Sequence, residues 1–167
     1  NPDYLLFFSE PLKKLHDDIL ATEFVVDGNG SVRVLQGTEM MTATNLWSVG
    51  IGKAKYRLGI GGLHSSEKSK TYYTTNDFQI FDRDVASYYP AIILNQGLYP
   101  EHIGPDFLRV YKDIVDRRLQ AKHSGDKTTA QSLKIAINGS FGKLGSKWSV
   151  FYAPQLLIQV TLTGQLS

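Results

Sequence analysis

The stretch FLRVYKDIVDRRLQAKH (residues 107–123), followed by SGD (124–126) and TTAQSLKIAINGSF (128–141), decides the fold. Phe107, Leu108, Tyr111, Ile114, Val115 and Leu119 recur at helical spacing, and Lys112, Asp113, Asp116 and Gln120 oppose them. The spacing predicts an amphipathic helix over 107–123. Ser124-Gly125-Asp126 ends it, with Gly125 suited to a left-handed stop. Thr128 to about Phe141 reads as a second helix, antiparallel to the first because the connection is short.

Upstream of this hairpin, Asp77 to Ala86 alternates. Phe78, Ile80, Asp82 and Asp84 fall on one face, Gln79, Phe81, Arg83 and Val85 on the other, which predicts a strand. Pro90 follows where a helix can start, ahead of Ala91 to Leu94. Lys70 to Thr75 is rich in Tyr and Thr, as a strand would be. Thr38 to Ser69, punctuated by glycine, reads as extended segments and loops. Glu23–Val26 and Ser31–Leu35 flank Asp27-Gly28-Asn29-Gly30, a hairpin signal. Leu5 to Leu20 is partly helical in spacing, with Pro11 suited to a first turn after Ser9. Downstream, Tyr152 to Leu166 is apolar and reads as a helix after Pro154, with a strand as the alternative. The expected class is therefore α/β, with sheet from the upstream hairpin and the 77–86 strand.

Composition sets the bounds. The 167 residues suffice for one compact domain, and 42% hydrophobic with 20% charged residues excludes a disordered or collagen-like chain. A net charge of +2 is too balanced to argue nucleic acid from charge alone, so any basic surface must be local. The absence of cysteine excludes disulfides, thiolate zinc sites and cysteine nucleophiles, and fits a reducing compartment. No apolar run approaches the roughly 20 residues of a spanning helix, so no membrane partner and a cytoplasmic location are expected. The first residue is Asn1 rather than Met, which suggests a fragment or a processed piece.

Several motifs fail. GxxxxGK[ST] is absent, and Gly59-Ile60-Gly61-Gly62 lacks the last glycine of a dinucleotide fingerprint. His16, His64, His102 and His123 have no metal-ligand spacing. Asn138-Gly139-Ser140 matches a glycosylation acceptor by coincidence.

Three features remain. Asp84-Val85-Ala86-Ser87-Tyr88-Tyr89-Pro90 puts a carboxylate at a strand end and a helix start just after it. A carboxylate there can hold a hard divalent ion, and freed helix amides can hold phosphate oxygens. The alternative is a solvated or capping Asp. Arg118 and Lys122, four apart, share the helix face of Tyr111 and Val115. Two cations in an apolar stripe either snorkel or meet an anion. Lys134, Asn138 and Phe141 lie at i, i+4 and i+7, so a cation, an amide and a ring share one ridge. A solvated Lys with a C-terminal Gly stop is the alternative there. Together the three supply what phosphoryl transfer needs, charge neutralisation and in-line positioning.

At these residues the sequence resembles a family B DNA-directed DNA polymerase of bacteriophage type, over about residues 59–167. Asp84 and Ser87-Tyr88-Tyr89-Pro90 match motif A, in which an Asp precedes Ser-Leu-Tyr-Pro. Lys134, Asn138, Phe141 and Gly142 match motif B, Lys-x3-Asn-Ser-x-Tyr-Gly, and Arg118 with Lys122 matches the Arg-x3-Lys of the fingers. Tyr88 stands for the usual Leu, Gly139 for Ser and Phe141 for Tyr. Gly61-Gly62 resembles the YxGG linker, with Gly59 at its aromatic position.

The resemblance implies a partial palm, an antiparallel sheet with helices, and fingers made of an antiparallel helical hairpin. Residues 1–76 become an upstream linker region, 77–106 the palm segment with motif A, 107–146 the fingers, and 147–167 the return to the palm. Asp84 and the Val85 carbonyl would bind Mg²⁺, in a two-metal site that this chain leaves incomplete because motif C, an Asp-Thr-Asp turn, is missing. Ser87, Tyr88, Tyr89, Arg118, Lys122, Lys134 and Asn138 would bind the deoxynucleoside triphosphate, with Lys134 beside Asp84 among the catalytic groups and Tyr89 excluding a ribose 2′-hydroxyl. Phe141, Gly142, Gly61 and Gly62 would touch the nascent base pair or DNA. Lys53, Lys55 and Arg57 can touch DNA phosphates or form a solvated loop. Primer-template DNA, dNTP and the rest of the polymerase chain are the expected partners. The chain alone is expected to be inactive. Asp82, two residues and about 7 Å from Asp84 on a strand, cannot be assumed to replace the missing carboxylate. A non-catalytic nucleic-acid-binding or interaction module is the alternative, and a reverse transcriptase the third option.

Overall fold

The computed structural model describes residues 5–66, 69 and 71–167. Its elements run α1 (Glu10–Leu20), β1 (Glu23–Val26), β2 (Val32–Gln36), β3 (Glu39–Thr42), β4 (Trp47–Ile51), β5 (Ala54–Leu58), β6 (His64–Ser65), α2 (Tyr88–Asn95), α3 (Asp106–His123), α4 (Lys127–Lys143) and α5 (Pro154–Leu166). The class is mixed α and β, with two three-stranded antiparallel sheets, β1-β2-β3 and β4-β5-β6.

The first hairpin forms where expected. Asp27 Oδ1 accepts from the amides of Asn29 and Ser31, and Asp27 Oδ2 accepts from Arg33 Nε at 2.8 Å. The Ser31 amide first, then Arg33, hold the Asp27 carboxyl below its ordinary range.

Two cores divide the chain. Ile92, Ile93, Tyr111, Val115, Ile137 and Val160 pack between α2, α3, α4 and α5. Leu15, Ile19, Val49, Leu58 and Leu162 pack α1 and α5 on the β4–β5 hairpin. α5 therefore serves both, with Val160 in one core and Leu162 in the other, which is why the segment after Pro154 is apolar on nearly all sides. The side chain of Gln165 completes the junction: its Oε1 accepts from the Gly59 amide at 3.2 Å and its Nε2 donates to the Gly59 carbonyl at 2.5 Å.

The helical hairpin is built almost wholly from local signals. After Ser124, Gly125 takes φ +79, its amide donates to the Lys122 carbonyl, and the Asp126 amide donates to the Ala121 carbonyl. That is a Schellman stop, and the left-handed backbone it needs suits glycine. Asp126 then starts the next helix, accepting from the Thr129 amide at 3.0 Å through its own side chain. Hydrogen bonding from Thr129, its side chain first and then its amide, holds the Asp126 carboxyl below its ordinary range. Ion pairs Lys112–Asp116 and Arg117–Asp113 lie on the exposed side of α3, each worth about 0.3–0.5 kcal/mol.

One expectation is overturned. Residues 77–86 form no strand; they run irregularly, bending at 76–77 and turning at 86–87, with no ladder partner, and Phe78, Ile80, Phe81 and Val85 are all exposed. Alternation gives a strand its two faces, but its backbone N–H and C=O groups need a neighbour. Both sheets close among residues 23–65, so none reaches this segment. The sheet expected from 77–86 is thus absent, and Asp82 and Asp84 share no strand face. Lys70 lies outside the described residues, and 71–75 form no strand. α2 begins at Tyr88, two residues before Pro90. Among the described residues no helix is long and apolar enough to cross a membrane.

Candidate functional site

A cavity of about 290 Å³ opens where the segment before α2 meets α2, α3 and α4. Asp84, Val85 and Ala86 line it from the segment, Ser87, Tyr88, Tyr89 and Pro90 from the start of α2, Arg118 and Lys122 from α3, and Lys134, Ile137 and Asn138 from α4. Residues fifty positions apart in sequence thereby meet at one place. The convergence expected from the sequence is present: the carboxylate, the helix start and both cationic ridges face the same space.

The α2 entrance is unusual. Ser87 is the residue before the helix and takes φ 54, ψ 51, left-handed backbone, which costs a non-glycine residue about 1–2 kcal/mol. Its hydroxyl does not cap the helix; it accepts from Arg118 Nη1 instead. The first amides of α2 are left without a side-chain cap at the cavity edge. Strain held in place at a cavity by a long-range bond is a common mark of a functional site.

Arg118 is half-buried, and its Nε is buried with no hydrogen-bond partner. The lining holds three cations, Arg118, Lys122 and Lys134, against one carboxylate, Asp84. Among the described residues none of these four side chains is in an ion pair. A concave site with excess positive charge and free amides is suited to a polyanion.

The two tyrosines form the floor. Tyr88 Oη donates to the Gly164 carbonyl of α5 at 2.6 Å. Tyr89 lies between Tyr88, centroids 5.9 Å apart, and Phe141, centroids 4.6 Å apart. Gly164 makes this possible: a Cβ there would stand 3.2 Å from both tyrosine rings and 3.3 Å from Ile92. Sequence reading missed Gly164, although a glycine inside an apolar helix is a signal of close approach. It also missed Ile137, which walls the cavity from the core side, and the left-handed Ser87.

Not every expected residue is gathered here. Phe141 stands behind Tyr89 rather than in the lining. Gly142 is exposed on α4, with nothing within 4 Å of a Cβ placed on it. Gly61 lines a separate cleft with Arg33, Thr44, Gly145 and Leu157, and Gly62 sits beside His64. Lys55 and Arg57 are exposed on β5. Asp82 is exposed and outside the cavity lining.

A divalent ion would find limited support. Among the described residues no group of three His, Asp or Glu side chains can hold a metal. The cavity offers one carboxylate, Asp84, with the Val85 backbone beside it. That fits a magnesium ion whose other ligands are water and substrate phosphate, since Mg²⁺ is commonly held by one or two carboxylates plus phosphates.

Compared with known proteins, the chain matches no family model, no curated protein and no solved structure.

Proposed function

We propose that this chain carries the nucleotide-binding face of a family B DNA-directed DNA polymerase, with residues 77–106 as a partial palm and the α3–α4 hairpin as the fingers. The observation that carries the reading is the single cavity in which Asp84, the uncapped start of α2, Arg118, Lys122, Lys134 and Asn138 converge.

Each group has a physical role. Arg118 and Lys134 project from two helices of one hairpin, so they neutralise a triphosphate tail from one side. Lys122, one turn beyond Arg118, extends the same cationic row. The amides at Ser87 and Tyr88 hold phosphate oxygens at the helix start. Asn138, one turn after Lys134, reaches toward the sugar or base. Tyr89 is fixed between two rings, which suits the steric-gate role the resemblance implies, exclusion of a ribose 2′-hydroxyl. Asp84 and the Val85 carbonyl would hold Mg²⁺, which supplies charge neutralisation at the phosphates when bound. Phe141 supports Tyr89 from behind, and Gly142 presents open backbone to the template. Primer-template DNA and dNTP are the partners this chemistry takes, together with the remainder of the polymerase chain.

The single carboxylate in the lining favours a second reading, a nucleic-acid-binding module that keeps the hairpin without catalysis. Primer extension separates the two. A polymerase containing this chain should extend a primer with magnesium and dNTP, and Asp84→Ala should abolish extension. This chain alone should give no extension above its Asp84→Ala variant. Full activity in the Asp84→Ala polymerase would overturn the reading.

A further inference from the structure

We infer that the turn between α4 and α5, residues 143–150, is a contact for single-stranded nucleic acid, with Trp148 stacking on an unpaired base and Lys143 and Lys147 holding the flanking phosphates. The inference rests on the nucleic-acid reading above and adds to it a site outside the nucleotide cavity.

Charge is the first ground. The chain is nearly neutral overall, yet its last 41 residues carry four lysines, at 127, 134, 143 and 147, and no Asp or Glu. None of these lysines is in an ion pair with a described residue. The local surface that overall composition hides is therefore on α4 and the turn after it. Lys143 lies five residues beyond Asn138 on the same helix, about 7.5 Å along its axis and about 140° around it, so it stands on a different face of α4 from the ridge that lines the cavity.

The presentation of Trp148 is the second ground. Its side chain is 88% exposed, whereas tryptophan is ordinarily well buried. The turn that carries it is nonetheless firmly tied. The Ala153 amide donates to the Leu144 carbonyl at 2.9 Å, the Ser149 amide to the Ser146 carbonyl at 2.9 Å, and the Tyr152 amide to the Ser149 carbonyl at 3.1 Å. Tyr152 Oη donates to the Gly30 carbonyl at 3.2 Å, and His102 Nε2 bonds the Val150 carbonyl at 2.6 Å. The stem of Lys147 packs against Gly30, and its Nζ lies 5.1 Å from the centroid of the indole ring. One face of the ring thus has a cation over it while the ring as a whole stays open to solvent. An exposed ring on a backbone-tied turn with adjacent cations is an arrangement that can bind single strands through base stacking and phosphate contacts. A membrane surface would need a broader apolar patch than Trp148 with Val150.

The chain has two tryptophans, Trp47 and Trp148, so Trp47→Phe leaves Trp148 as the single reporter. Titration with a short oligothymidylate should quench its emission. In the otherwise unaltered chain, Trp148→Ala should weaken binding of a labelled oligothymidylate, read by anisotropy, about tenfold, in line with the loss of one stacked base. Trp148→Phe should restore most of the affinity, and Lys147→Ala should lower the salt dependence by about one phosphate contact. Oligonucleotide binding that leaves Trp148 emission and the Trp148→Ala affinity unchanged would overturn this inference while leaving the nucleic-acid reading intact. Quenching by phosphatidylserine vesicles but not by oligonucleotide would overturn it in favour of a membrane contact. No oligonucleotide binding at all would overturn both.

Discussion

The hairpin at 106–143 and the segment at 77–86 both carry a regular pattern, yet one folds as its pattern implies and the other does not. A helix satisfies its own backbone and needs from its surroundings only a place for its apolar stripe. Tyr111 and Val115 on α3 and Ile137 on α4 find that place against α2 and α5. A strand must borrow its hydrogen bonds from a neighbour, and the 77–86 segment has none among the described residues. The candidate site straddles this difference: its cations stand on the self-sufficient hairpin, and its carboxylate hangs from the segment without a ladder.

The largest expected contrast is in stability. Ile93 is 1% exposed in the helical core and Ile80 is 50% exposed on the segment. We expect Ile93→Ala to cost about 2–5 kcal/mol, and Ile80→Ala to stay within about 0.5 kcal/mol, both read by urea unfolding. A large cost at Ile80 would mean that the segment is packed after all, and would break the comparison.

Next comes the tyrosine floor, where the two regions touch. Gly164→Val inserts a side chain against Tyr88 and Tyr89 and should cost about 1–3 kcal/mol through overpacking, weakening nucleotide binding as the rings move. Gly139 is also helical, but nothing lies within 4 Å of a Cβ placed there. Gly139→Ala should therefore stabilise by about 0.5–1 kcal/mol. Equal effects at the two glycines would remove the close approach from the account.

A smaller effect sharpens the helical side. Tyr111 is 3% exposed and its hydroxyl is buried without a partner. Burial pushes its pKa up to about 12. The unfolded chain ionises near 10, so the contribution is complete below pH 10 and is lost as pH rises from 10 toward 12. Tyr111→Phe should flatten that alkaline limb and change stability little at neutral pH, since it removes an unpaired hydroxyl. An absorbance titration that finds every tyrosine ionising near 10 would contradict this.

How much was legible follows the same divide. Phe107 to His123, Gly125 and the Asp27 turn were readable because each closes its hydrogen bonds within a few residues. Arg118 with Lys122, and Lys134 with Asn138, were readable as pairs because helical spacing fixes which side chains share a ridge; their association with Asp84 came from the shared chemistry of phosphoryl transfer and the resemblance to the polymerase motifs. Ser87's left-handed backbone was not, because it depends on Arg118, thirty-one residues away. Gly164 was not, because its meaning lies in two rings more than seventy residues upstream. The 77–86 strand was misread because alternation records faces and is silent on partners.

The most direct test of the central claim is calorimetric titration of the chain with a deoxynucleoside triphosphate, with and without magnesium, alongside Asp84→Ala and Lys134→Ala. Binding should strengthen with magnesium, lose that magnesium dependence in Asp84→Ala, and fall about tenfold or more in Lys134→Ala, the loss of one charge-assisted contact. Binding indifferent to magnesium and to both substitutions, or no binding at all, would contradict it.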